Sequence, residues 1–150
     1  MHKQICWQRV CVFYEKITDF QLYVRGSQFH DLHLPLDAHA TEIVALTDLI
    51  AERVRKLDGK TDTSIGAIGA KTTIKEEDDT SLSAMAIAKD LFQDNTAYVA
   101  TLKATSALAG EAGDNATDGI IDDRADQAEQ RARFLRENLA WPIPQRAAEC

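Results

Sequence analysis

Nowhere does this sequence run apolar for the ~18 residues that a membrane-spanning helix needs. Its amino end, Met1 to Val10, has neither the long apolar core nor the small-residue cleavage site of a secretory signal. Cysteine is scarce: Cys6, Cys11 and Cys150 are three in 150 residues, an odd number with no CxxC pair. A cysteine metal site is thereby excluded, and free thiols in a reducing cytoplasm are the expectation. The alternation of polar and apolar residues that marks strands is also missing. Positive charge is in deficit, with 17 Lys and Arg against 24 Asp and Glu and a formal net charge of −7. A nucleic-acid surface needs clustered cations to displace counterions from phosphates, so this balance argues against DNA as a ligand and for cations instead.

What remains is a chain of one domain's length, spanning 1–150, with 45% hydrophobic and 27% charged residues. Ile5 to Val24 reads as an amphipathic helix, with Val10, Val12, Phe13, Ile17 and Phe20 on one face. A second helix is expected over about Gln28 to Leu57 and ends at Asp58-Gly59. Pro35 lies inside it. Within the first turns a proline is tolerated, whereas past them it removes a backbone hydrogen bond and kinks the helix. Lys60 to Thr80 is a connector with a brief helix in the apolar piece Ile65 to Ile74, and the run Glu76 to Asp79 is a solvated loop. Thr80 or Ser81 caps a third helix that reaches Leu108. A fourth starts near Asp114, runs to Leu139 and is stopped by Pro142 and Pro144. The fold class is all-α, a four-helix bundle whose long connector permits a crossover.

Two stripes carry the chemistry. His33 and Asp37 are four apart, as are Asp48 and Glu52. Residues four apart share a helix face, and the eleven residues from Asp37 to Asp48 make almost three whole turns, so all four fall on one stripe. At ~1.5 Å per residue the two pairs lie roughly 16 Å apart, too far for one metal. Two copies related by a twofold axis and laid antiparallel would bring the His33/Asp37 pair of one against the Asp48/Glu52 pair of the other, making two identical intersubunit sites. Oxygen and imidazole donors suit iron, zinc or manganese. The bland alternative is a solvated helix face on which such pairs fall by chance. In the second stripe Asp114, Asp118, Asp122 and Asp126 recur every four residues. Like charges so placed weaken an isolated helix. The stripe is either a solvated acidic face with Asp114 as its cap, or the lining of a threefold channel that draws in cations. His30 and His39 fall off the ligand positions.

The second helix is similar to that of the Dps family, the ferritin-like mini-ferritins. The pattern RG…F…LH…LD…D…AER is carried by Arg25-Gly26, Phe29, Leu32-His33, Leu36-Asp37, Asp48 and Ala51-Glu52-Arg53. The Ser64-Ile65 segment and the start of the fourth helix match more weakly. The resemblance implies a ferritin-like bundle with a short helix in the connector, assembled as a hollow dodecamer. It implies iron(II) oxidised at twofold-shared centres by hydrogen peroxide or oxygen, and iron(III) stored in the cavity as protection against oxidative damage. His33 and Asp37 match ligands from one subunit and Asp48 and Glu52 those from its partner, with zinc as a substitute metal. Asp114, Asp118 and Asp122 lie where the family's threefold iron pores carry acids. One departure stands out. The family's His-Trp-Asn, whose His is a further ligand, is here Gln21-Leu22-Tyr23. An amide oxygen is a weaker ligand than imidazole, so slower oxidation is expected. The alternative is a Dps-like shell with an impaired centre. DNA-binding members usually carry a cationic terminal extension; here only Lys3, Arg9 and Arg146 lie near the ends, and direct DNA binding is not expected.

Overall fold

The computed structural model describes residues 2–27, 29–75 and 77–140, with side chains described between residues 8 and 139. Five helices follow in order: α1 (His2–Tyr23), α2 (Phe29–Lys56), α3 (Ile65–Gly69), α4 (Ala84–Glu111) and α5 (Asn115–Ala140). The architecture is a four-helix bundle, and α3 is the short helix in the connector between its two hairpins. Hairpin α1–α2 packs within itself, as does α4–α5, and α1 joins the two by packing on α4 and α3.

Apolar periodicity sets the packing. Val10, Phe13, Ile17 and Phe20 on α1 step by three or four residues, and Leu32, Leu36, Ala40, Ile43, Leu46, Ile50 and Val54 do the same along all of α2. All are buried, as are Ile87, Leu91, Tyr98 and Leu102 of α4 and Ile121, Ala128 and Leu135 of α5. Side chains of Ile5, Cys6 and Trp7, and residues Glu76, Pro142, Pro144 and Cys150, lie outside the described residues.

Helix ends depart from the expected ones for local reasons. α4 is capped by Ser83, whose hydroxyl accepts from Ala86 N at 3.2 Å, rather than by Thr80 or Ser81. Ser81 is engaged elsewhere: its backbone N–H and hydroxyl both donate to Asp79 Oδ1. The brief helix expected within Ile65 to Ile74 occupies Ile65–Gly69, with Ser64 as its cap. α2 runs unbroken through Pro35, which stands in its second turn. The carbonyl of Asp31, the partner that Pro35 lacks a hydrogen for, belongs to an exposed residue.

Two turns close helices in the same way. At the end of α2, Gly59 N donates to Val54 O at 2.9 Å and Asp58 N to Arg55 O at 3.0 Å. Asp58 takes the left-handed conformation, with φ 56°. Gly59 is required by close approach, since a Cβ there would lie 2.7 Å from Val54 Cγ1 and 2.9 Å from Val54 O. At the end of α4, Asp114 N donates to Ala109 O at 2.8 Å, with Gly113 left-handed at φ 66°.

Candidate metal centre

The α1–α2 hairpin builds one half of the expected site. Gly26, with φ 90°, turns the chain, and Phe29 N closes the turn on Gly26 O at 3.1 Å. This sets Gln21, near the end of α1, beside the first turns of α2. Gln21 Nε2 donates to Asp37 Oδ1 at 3.0 Å. His33 Nδ1 lies 3.1 Å from the main-chain oxygen of Gln21. A carbonyl oxygen only accepts, so Nδ1 carries the proton and Nε2 keeps the lone pair that a metal needs. The His33 ring also stacks on Phe29, with centroids 4.8 Å apart and planes at 22°. His33 is half-buried and Asp37 exposed.

The other half sits on the same unbroken helix. Asp48 and Glu52 are both exposed on α2. Glu52 accepts from Lys56 Nζ at 3.2 Å, an exposed pair worth a few tenths of a kcal/mol and readily displaced. Since α2 is continuous, His33 and Asp48 are separated by roughly 22 Å of helix. Among the described residues no three of His, Cys, Asp and Glu converge on one metal within this chain.

The bundle interior offers no substitute. Di-iron carboxylate bundles project Glu and His side chains inward from facing helices. Here the buried polar side chains among the described residues are Gln8, Lys16, Asn95, Thr105, Thr117 and Arg131. None is a carboxylate, and the two charged ones are cations, which repel a metal. Lys16 Nζ is held at 2.6 Å by both Asp90 and Asp94, and it donates to Lys75 O at 3.0 Å. Burial disfavours its charge, yet the two aspartates more than offset this and its pKa rises. Arg131 donates to Glu42 Oε2 at 3.0 Å, and Asn95 Nδ2 donates to Ala128 O at 2.6 Å.

On α5 the four aspartates divide. Asp114 caps the helix, accepting from Thr117 N at 3.0 Å and Thr117 Oγ1 at 2.6 Å. The same carboxylate is ion-paired with Arg53, whose Nε donates to Thr117 Oγ1 at 2.9 Å. Asp118 accepts from Ser106 Oγ at 2.6 Å. Asp122 and Asp126 are exposed and line a groove of about 640 Å³ with Asp123 and Glu129, where Lys103 bridges to Glu129. His30 is exposed. His39 is packed edge-on against Phe134, and burial, with the Arg131 charge adding to it, pushes its pKa down to about 4.

A ferritin-like domain model matches residues 8–140. A DNA protection during starvation protein of Brevibacillus brevis is 31% identical over 111 residues, 74% of this chain and 74% of that protein. The chain belongs to the Dps family. Antigen TpF1 of Treponema pallidum (strain Nichols) is 33% identical over 116 residues, 75% of this chain; the match spans 63% of that antigen's length. The structure of an archaeal Dps homologue from Halobacterium salinarum superposes with a TM-score of 0.92, at 22% identity, over 97% of this chain and 81% of that one. Within this Dps fold, sequence spacing had singled out His33, Asp37, Asp48 and Glu52 as candidates. It had not found that Gln21 touches both His33 and Asp37, nor that Arg53 joins α2 to α5. Those contacts bridge 12, 16 and 61 residues and leave no periodic signal.

Proposed function

We propose that this Dps-family chain is a mini-ferritin that binds and oxidises iron(II) and stores iron(III) in a hollow shell, protecting its surroundings from oxidative damage. The observation that carries this is the division of donors on α2. Each chain presents an imidazole-carboxylate pair at one end and a carboxylate pair at the other, with no complete site of its own. An antiparallel twofold pairing completes two centres at once, with His33 and Asp37 from one subunit and Asp48 and Glu52 from its partner. Further such contacts would make the shell, a dodecamer by resemblance to the family. Iron is the substrate: two iron(II) ions give one electron each to hydrogen peroxide, which takes up two protons and leaves as two waters. Zinc, which does not change oxidation state, would occupy the same donors without turnover. Asp118 and Asp122 are the acids of the three expected that stand free of an ion pair with Arg53, and they would line an uptake path for cations. The acidic charge argues against direct DNA binding, and the compartment that fits free thiols is the cytoplasm.

Iron(II) oxidation followed by absorbance, with peroxide and with oxygen, together with sizing of the iron-loaded particle, tests this reading. Oxidation no faster than in buffer would reject it. Mixed particles test the sharing itself. Subunits carrying His33→Ala and Asp37→Ala, co-assembled with subunits carrying Asp48→Asn and Glu52→Gln, retain an intact site only in mixed pairs, and there only one of two. Random assembly therefore restores about a quarter of the wild-type centres, whereas unshared sites would give none. A second reading, a shell with an impaired centre, is favoured by one observation: Gln21 supplies an amide where an imidazole ligand is expected. Gln21→His speeds oxidation if that imidazole is what the centre lacks.

A further inference from the structure

Gln21 stands at a ligand position, yet its geometry is not that of a ligand. Its amide nitrogen is directed at Asp37 Oδ1, 3.0 Å away. A carboxylate only accepts, so the NH2 group must face it. The amide oxygen, which is the atom that would bind a metal, is therefore turned from the carboxylate. The backbone carbonyl of the same residue holds His33 Nδ1 at 3.1 Å. One residue thus contacts both donors of the half-site, through two different groups.

We infer that Gln21 is a positioning residue of the shared metal centre: its side-chain amide fixes the Asp37 carboxylate and its main-chain oxygen fixes the His33 ring. This rests on the twofold-shared site proposed above. The physical consequence is specific. A hydrogen bond to Oδ1 occupies a lone pair of that oxygen and leaves Oδ2 as the freer donor of Asp37. A proton on Nδ1 leaves Nε2 as the donor of His33. Phe29 stacked on the ring limits its rotation. Two donors held in place bind a cation more tightly than two that must be ordered at the moment of binding, and loss of such an orienting partner costs about 10- to 100-fold in metal affinity. The amide is neutral, so it orients Asp37 without cancelling its charge, as a Lys or Arg in its place would. It also leaves one coordination position to solvent where the family's imidazole would sit.

Cobalt(II) titration of the assembled apo-protein, read by its visible d–d bands, tests this without turnover. Gln21→Met keeps the length and removes both the donor and the amide oxygen, and leaves the main-chain carbonyl in place. The titration midpoint is expected to move about tenfold or more to higher cobalt(II), with band positions and intensity per bound ion unchanged, because no ligand has been removed. An unchanged midpoint overturns the inference, and so does an altered band, which would make Gln21 a ligand. Zinc-soaked crystals of the unaltered protein give a second measurement that needs no variant. Gln21 Oε1 within bonding distance of zinc overturns the inference, and Gln21 Nε2 still on Asp37 with zinc bound by Asp37 and His33 supports it. If the unaltered protein takes up neither metal, the shared centre itself fails and the inference with it. If it takes up metal and Gln21→Met does so equally, only the role of Gln21 fails.

Discussion

Lys16→Met is the sharpest test of how the two hairpins are held together. Lys16 Nζ makes three contacts, at 2.6 Å to Asp90 Oδ2, 2.6 Å to Asp94 Oδ2 and 3.0 Å to Lys75 O, and so joins α1 to α4 and to the connector. Methionine fills the same volume without charge. What it leaves is Asp90 and Asp94, one turn apart on α4, facing each other with no cation between them. Removing one partner of a buried ion pair costs ~3–5 kcal/mol. Asp94 is 17% exposed, but Asp90 is 34% exposed and keeps water, so the expected cost is about 3 kcal/mol, the low end of that range. For a domain of this size that is a fall in Tm of roughly 6–12 °C, measured at fixed subunit concentration because assembly itself stabilises the folded chain. The loss depends on pH in a definite direction. Burial already raises the Asp94 pKa despite Lys16, and without Lys16 it rises further. A carboxylate whose folded pKa is raised above its unfolded value makes stability fall as pH climbs through that range. The gap between variant and wild type should therefore be widest near neutrality, shrink as pH falls through the raised range in which folded Asp94 takes up its proton, and change no further below about pH 4, where the unfolded carboxylate is protonated as well. Adding Asp94→Leu to Lys16→Met should recover part of the loss, since an apolar replacement removes the stranded charge. A Lys16→Met variant within about 0.5 kcal/mol of wild type at neutral pH, the ordinary spread of surface substitutions, would refute this account.

Arg53→Ala removes the ion pair to Asp114 and the bond to Thr117, and should cost about 1–3 kcal/mol in urea unfolding, with Asp114→Ala costing no less because it also removes the α5 cap. Gly59→Ala should destabilise by about 1–3 kcal/mol, since its Cβ would meet Val54 O at 2.9 Å; a neutral effect would show that the turn gives way. Cys11, with its pKa pushed up to about 11 by burial and by Glu15, should react with iodoacetamide near pH 8 roughly 100-fold more slowly than a free thiol, in proportion to its thiolate fraction. The same shift lowers stability between pH 9 and 11, where the unfolded thiol ionises and the folded one does not.

The bundle was legible because helix periodicity is a local property. The steps from Val10 to Phe20 and from Leu32 to Val54 state in sequence which face is buried. The shared face of His33 with Asp37 and of Asp48 with Glu52 was legible for the same reason: four residues are about one turn. Where the reading missed, a tertiary or neighbouring contact decided between local equals. Thr80, Ser81 and Ser83 are all cap residues by type, and the bonds of Ser81 to Asp79 leave Ser83 for α4. The pair Asp58-Gly59 ends α2 as its sequence suggests, and the structure adds that Asp58 takes the αL conformation while Gly59 is needed for room beside Val54. Pro35 stands in the second turn, among the first turns where a proline is tolerated, and α2 continues through it with Leu36, Ala40 and Ile43 on the core side.

What the sequence could not convey is how α2 is anchored at both ends. At its start, Gln21 of α1 reaches Asp37 and His33. At its end, Arg53 is tied to Asp114 and Thr117 at the head of α5. Between these ties the buried face of α2 packs along its whole length. If the donor set is divided between two copies as proposed, the spacing between its halves must be fixed, because an error in one helix would misplace donors at both centres of the pair. A helix continuous through Pro35, packed on one face and fastened at each end, keeps that spacing constant. In the proposed pairing Arg53 would act on metal binding without touching metal: freeing the last turn of α2 should loosen Asp48 and Glu52 while leaving His33 and Asp37 in place. Arg53→Ala is therefore expected to weaken cobalt(II) binding at every centre of the particle, and cobalt(II) affinity unchanged in a destabilised Arg53→Ala variant would separate the anchoring of the fold from the geometry of the site.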